Sequence, residues 1–222
     1  MNRSPQQKFI LLFEAVKRSL LAAQTLQQRL ASDLAALESD ILAGLEINER
    51  AVSPLLSAVS FVDFSHRFGS LVESLPLLRK GTPELRKLKA VLAPVEVARN
   101  HLQHLRGRTE LSSNEEISFA VLGALTWTHG ENAFIIAFTQ PGKLEQASIS
   151  YDSVEQRWTA KHRFSVKNAL VDPDSILAEM ERFYHWLAGK VTFSEPEFGE
   201  LKWGKPLAVA IRFTISTPPA RI

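Results

Sequence analysis

Arg99, Asn100 and His104 are the residues whose types and spacing could do chemistry together. A guanidinium holds an anion, an amide orients it, and an imidazole moves a proton near neutral pH. The set therefore suits an anion or phosphate site. Arg99 stands out because Leu85, Leu88, Leu92, Val95 and Leu102 recur around it at helical steps, and it takes a place where another aliphatic side chain is expected. A guanidinium facing a core is costly unless it is paired or serves a ligand. Two readings fit the spacing. In one, Arg99 holds the negative charge of a ligand and His104 moves a proton. In the other, the arginine stem packs, its head binds a carboxylate such as Asp63, and His104 caps helix carbonyls. Helix geometry sets a condition on the first reading, because at about 100° per residue positions five apart lie roughly 140° apart. Arg99 and His104 share no face unless the last turn unwinds before Gly107. Otherwise they flank one groove or meet residues of a second copy.

Supporting groups come from the preceding helical segment and from the same turn: Asp63, His66, Arg67 and His101. His66 continues a side stripe of Leu55, Val59 and Val62, which implies partial burial. His101 and His104 are three apart and, with His66, could in principle hold a metal. No HExxH pattern or carboxylate cluster accompanies them, so no metal is assigned. His162 shares a strand face with Trp158, Ala160, Phe164 and Val166, the setting of a satisfied core histidine, whereas Lys161 and Arg163 point the other way as solvent charges. His129 falls in a turn and His185 lies beside Trp186, and neither has an evident partner. The chain has no GxSxG, GxGxxG or GxxxxGK[ST] pattern, so no cofactor is expected.

These residues need elements to position them. From Gln6 to Ala43 there is no Gly or Pro, and Phe9, Phe13, Val16, Leu20, Ala23, Leu30, Leu34, Leu37 and Ile41 recur at steps of three and four. One long helix, or two joined near Ser32-Asp33, fits that pattern. A second helix is expected from about Ser53, with Pro54 in its first turn, to Leu75, before Pro76; its stripe is Phe61, Phe64, Phe68, Leu71 and Leu75. A third starts after the N-cap Thr82 and ends near Gly107. From about residue 112 the period changes to two. Strands are expected over 117–128, 133–139, 146–151, 157–166 and 207–216, with a turn at Tyr151-Asp152-Ser153. Asp172-Pro173-Asp174 opens a helix with Ile176, Met180, Phe183 and Leu187 on one face. The fold class is α+β: an antiparallel helical bundle over 6–108, then an antiparallel β-rich region over 112–217 that packs a helix at 173–188.

Composition bounds the function classes. Of 222 residues, 45% are hydrophobic and 23% charged, ordinary globular usage that excludes disorder and fibres. The 26 basic and 24 acidic residues give a net charge of only +2. Zero cysteines exclude disulfides, thiolate metal sites and cysteine nucleophiles, and fit a reducing cytoplasm. No targeting segment and no run of roughly 18 apolar residues is present, so the expectation is a cytoplasmic protein with no membrane partner. The charge is uneven, however. Between Arg79 and Arg108 stand eight basic residues (Arg79, Lys80, Arg86, Lys87, Lys89, Arg99, Arg106, Arg108) and two acidic ones, a local net charge of +6. That is either a solvated helix face or a phosphate-facing surface.

The stretch Arg99-Asn-His-Leu-Gln-His104 has the form R-N-x-x-x-H at the end of the last helix of a bundle. It resembles the signature of the HEPN superfamily, all-helical domains found in many bacterial toxins and RNA-processing systems. Val62-Asp63-Phe-Ser-His66-Arg67 before it and Gly123-Ala-Leu-Thr-Trp127 after it are similar to a bacterial group whose helical part leads into a β-rich C-terminal half. The resemblance covers roughly residues 8–127. It implies metal-independent RNA cleavage across a dimer interface, with Arg99 stabilising the phosphorane-like transition state and His104 as general acid–base. RNA and a second copy of the chain are then the partners to expect; nothing reads as a DNA sequence reader. The other expectation is a non-catalytic module, whose β-rich half recognises a ligand while the helical half dimerises.

Overall fold

The computed structural model describes residues 5–76, 78–104, 122–129, 132–138, 151–152, 154, 157–158, 160–166 and 169–191. The Gly- and Pro-free N-terminal stretch forms a single helix, α1 (Pro5–Leu42), of 38 residues. Asp33 does not break it. Its carboxylate instead accepts from Ser53 Oγ at 2.8 Å on the next helix, α2 (Val52–Glu73), and anchors the return of the chain. Phe61, Phe68 and Leu75 are buried, whereas Phe64 and Leu71 lie at the edge of the stripe.

The third helix, α3 (Pro83–Gln103), begins as its sequence dictates: Thr82 Oγ1 accepts from Leu85 N at 3.3 Å, and Pro83 stands where no N–H is needed. Pro94 lies inside this helix and cannot donate to the carbonyl of Ala90. Ala90 is exposed, so water can satisfy that oxygen.

Among the described residues every strand pair is antiparallel. β1 (Ala124–His129) lies in a four-stranded sheet of order β2-β1-β5-β6, with β2 (Asn132–Ala137), β5 (His162–Val166) and β6 (Ala169–Val171). The strand expected over 157–166 is split. Its first residues, β4 (Arg157–Trp158), pair separately with β3 (Tyr151–Asp152). Tyr151 and Asp152 therefore belong to a strand rather than to the turn expected there, because each has a cross-strand partner. The strands expected at 207–216 and over most of 146–151 lie outside the described residues.

The next helix, α4 (Pro173–Ala188), is capped by Asp172, whose side chain accepts from the backbone of Asp174 and Ser175, each at 3.1 Å. Ile176, Met180, Phe183 and Leu187 are all buried. This helix packs against β5 and also against α1, α2 and α3, so it completes the bundle. The Phe183 ring meets Phe68 of α2 edge-on, with centroids 6.5 Å apart, and Tyr184 stacks on Phe13 of α1. Gln24 and Gln27 of α1 reach Glu181 and Asp174 at 2.7 and 2.6 Å. All these elements belong to one compact unit, Met1–Lys190. Among the described residues, no helix is long and apolar enough to cross a membrane.

Two carboxylates of α4 tie stability to pH. The hydrogen bond to His162 holds Asp174 below the usual carboxylate range, and bonds from Arg182 do the same for Glu179. A depressed folded value means that stability is present above the unfolded value and is lost as pH falls through the folded one. The ordinary values for Asp and Glu, which stand for the unfolded chain, are 3.8 and 4.5. Thermal melts from pH 7 to pH 3 should therefore lose melting temperature below about 4.5. Asp174→Asn should flatten the most acidic part of that profile. An unchanged acid limb would mean that the Asp174–His162 pair does not exist in solution.

Candidate functional site at the end of the third helix

Helices α2 and α3 run antiparallel side by side, which sets Asp63 opposite Arg99 and Glu73 opposite Lys89. Asp63 is shared between two guanidinium groups. Arg67 donates to Oδ2 from Nε at 2.9 Å, and Arg99 Nε reaches Oδ1 at 3.4 Å. Arg67 also lies over the Phe64 ring, 5.3 Å from its centroid. With 27% of the Arg99 side chain and 31% of the Asp63 side chain exposed, the pair is only partly withdrawn from water. An ion pair in that setting contributes about 1 kcal/mol or less.

Arg99 does not face the core. The buried line of α3 runs Leu85, Leu88, Leu92, Val95, Ala98 and His101, not through Arg99 and Leu102. The helical period of 3.6 lets a stripe continue by steps of three or four. Here it steps by three twice after Val95, and the small Ala98 takes the interior place. The residue pointing inward at the end of the helix is His101, only 3% exposed, while Arg99 and Leu102 sit at the margin.

The helix stays α-helical through Gln103, with His104 as its C-cap. The His104 N–H donates to the carbonyls of Asn100 and His101, each at 3.2 Å. The last turn thus does not unwind before His104, and Arg99 and His104 keep their angular separation of roughly 140°. Asn100 and His104 are exposed, and Arg99 leans on α2. One copy of the chain therefore does not bring Arg99 and His104 together.

His66 lies half-buried on α2, facing α3. Burial lowers its pKa from 6.5, and the charge of Arg99 adds to the effect against the opposing pull of Glu96, Asp63 and Glu73. The shift favours the neutral imidazole, which can accept a hydrogen bond. Among the described residues, no three His, Asp or Glu side chains gather as a metal site.

Three of the eight basic residues of this region are paired among the described residues. Lys87 pairs with Glu179 at 3.2 Å, Lys89 with Glu73 at 2.8 Å, and Arg99 with Asp63. Arg79, Lys80 and Arg86 are exposed at the opposite end of α3 from His104. Arg106, Gly107 and Arg108 lie outside the described residues.

Elsewhere, His162 is the satisfied core histidine expected: it is buried, with Nδ1 3.4 Å from Asp174. His129 corrects the reading as a partnerless turn residue. It ends β1, and its Nδ1 lies 2.5 Å from Glu38 Oε1 of α1, a contact across 91 positions that spacing does not reveal. The sequence reading also missed a groove beside His66, between α2 and α3. Gly69, a lone glycine inside α2, lets Leu92 of α3 come close at this level, since a Cβ there would stand 2.9 Å from Leu92 Cδ1. Compared with known proteins, the chain matches no family model, no curated protein and no solved structure.

Proposed function

We propose that this protein acts on RNA through the end of α3, as a metal-independent endoribonuclease whose site is completed by a second copy of the chain. The observation that supports this most is the grouping on one helix end of a partly exposed guanidinium, Arg99, with the exposed Asn100 and His104. The R-N-x-x-x-H resemblance supports it from the sequence side. The separation of Arg99 from His104 around the helix favours a composite site, in which two helix ends face one strand of RNA.

In this reading the 2′-hydroxyl attacks the adjacent phosphorus while the bond from phosphorus to the 5′ oxygen breaks. His104 carries the proton from the attacking to the departing oxygen. Arg99 stabilises the charge that builds on the phosphoryl oxygens, and Asn100 orients the group. Asp63 positions Arg99 from one side, and with Arg67 it leaves a net positive charge at this spot. The products are a 2′,3′-cyclic phosphate and a free 5′-hydroxyl.

The test is incubation of purified protein with mixed RNA in EDTA, next to His104→Ala. The parent should cut and leave cyclic phosphate ends, and His104→Ala should not. Equal cleavage by both, or none by either, would sink the proposal.

One observation favours a second reading, a non-catalytic helical module: Arg99 already has a carboxylate partner in Asp63. Analytical ultracentrifugation separates the two in part. A strict monomer at micromolar concentration would deprive the nuclease of its composite site.

A further inference from the structure

We infer that the outer edge of β2 takes β2 of a second copy of this chain, antiparallel about a two-fold axis, so that two four-stranded sheets join into one. This surface does not depend on the RNA reading. The order β2-β1-β5-β6 puts β2 at an edge, and the hydrogen bonds of β1 show which of its groups face outward. Thr128 N donates to the carbonyl of Lys161 at 3.1 Å, and Phe138 N to that of Gly123 at 3.0 Å. Bonds alternate along an antiparallel ladder. Ala124, Thr126 and Thr128 therefore turn their N–H and C=O toward β5, and Leu125, Trp127 and His129 turn theirs toward β2. Their partners Ile136, Phe134 and Asn132 are engaged with β1. Ala133, Ile135 and Ala137 direct their backbone groups the other way. All three residues are exposed, and among the described residues no strand pairs with that side of β2.

The edge is unguarded. Native edge strands usually carry a lysine, a proline or a bulge that turns a second strand away. β2 reads Asn-Ala-Phe-Ile-Ile-Ala, with no charge and no proline. Its register with β1 is unbroken from Asn132 to Ala137, so it has no bulge either. The opposite edge, β6, is by contrast only three residues long.

The pattern of the strand selects its occupant. Two β2 strands centred on Ile135 set Ile135 against Ile135 of the second copy, and Ala133 against its Ala137. In this register every outward N–H of both copies meets a carbonyl. A shift by two residues in either direction carries one of the three past the end of the facing strand. On one face the small Ala133 and Ala137 leave room for the two branched Ile135 side chains. On the other, Phe134 comes opposite Ile136 of the second copy and extends the apolar row begun by its stack on Trp127, 5.1 Å between centroids. An uncharged strand meets no like charge in its own copy. A foreign peptide would draw its specificity from pockets for alternate side chains, whereas this alanine–isoleucine–alanine row is its own complement.

The test is ultracentrifugation of the full chain, which should be a dimer at about 100 µM. Ile135→Lys and Ile135→Glu each put like charges face to face on the two-fold axis, so each variant alone should be a monomer. An equimolar mixture of the two should dimerise, because opposite charges then meet at that position. Ile135 is exposed and its N–H serves no bond to β1, so both variants should keep the parent's circular dichroism. Amide exchange reads the same edge: Ala133 and Ala137 should exchange at least about tenfold faster in Ile135→Lys than in the parent, with Phe134 and Ile136 unchanged. A monomeric parent, a dimer that survives Ile135→Lys, a mixture that stays monomeric, or edge amides that exchange alike in parent and variant would each overturn the assignment. RNA enters none of these measurements. A dimer that survives Ile135→Lys would remove this surface and leave a composite site at the end of α3 standing, so the two failures are told apart.

Discussion

Gly123→Ala is expected to lower the melting temperature by on the order of 10 °C, the largest effect on stability of any single methyl group considered for this chain. Gly123 precedes β1 and has φ +94°, a conformation that side chains rarely adopt. Strain of that kind costs about 1–3 kcal/mol. Space makes it worse. A Cβ at Gly123 would lie 2.6 Å from the backbone oxygen of Ser165, 2.8 Å from Phe164 Cε2 and 2.9 Å from Val166 Cγ2. Phe164 and Val166 are fully buried, and Ser165 is held in register opposite Ala124. None of the three can step aside cheaply, so overpacking adds about 1–3 kcal/mol. In a chain of this size each kcal/mol moves the melting point by about 2–4 °C.

Two other glycines serve as controls in the same calorimetric experiment. Gly44 also has a positive φ, +69°, but nothing lies within 4 Å of its missing Cβ, so alanine there carries strain alone. Gly69 meets only the end of the flexible Leu92 side chain, and alanine gains about 1 kcal/mol of helix propensity, so the two effects nearly cancel. The expected order of damage is Gly123, then Gly44, then Gly69. A Gly123→Ala variant that melts within two or three degrees of the parent would show that β1 and β5 are not packed as described.

The helices were legible because their signals are local. A stretch without Gly or Pro, an N-cap threonine at Thr82 and an Asp172-Pro173 start each act within a turn or two, and each lies where α1, α3 and α4 have it. The antiparallel arrangement of the sheet followed from short strands joined by turn residues. What failed was the phase of a stripe. Leu92 and Val95 can be continued through Ala98 or through Arg99, and periodicity alone does not choose. Packing chooses, since Ala98 fits against neighbouring elements and a guanidinium does not. The same limit explains what stayed hidden elsewhere. The contact of His129 with Glu38, the seat of α4 on three helices and the groove over Leu88 all depend on pairs far apart in sequence. Asp63 as partner of Arg99 was legible as one of two alternatives, because a carboxylate on the preceding helix was the simplest way to compensate the charge.

Arg99→Leu is expected to separate the role of this side chain in function from its role in packing. On the stability side the change should be small. The guanidinium stands at the margin of the buried line, more than a quarter exposed, and its pair with Asp63 spans 3.4 Å. Removing it does not strand the carboxylate, because Arg67 still holds Asp63 at 2.8 Å. Leucine keeps an apolar stem at the margin of the buried line and loses only a part-exposed ion pair, so the net change should be about 1 kcal/mol or less. That corresponds to a few degrees in the melting temperature. On the activity side the change should be large. If Arg99 stabilises the charge on the phosphoryl oxygens, its loss should lower RNA cleavage by roughly 10²–10³-fold, the usual effect of deleting one such donor. The two measurements must be made on the same preparation, by calorimetry and by cleavage in EDTA. A fall of ten degrees or more would show that Arg99 holds the fold together, and the loss of activity would then say nothing about chemistry. A parent-like melting temperature with parent-like cleavage would remove Arg99 from the site altogether and leave His104 without an electrostatic partner on this helix.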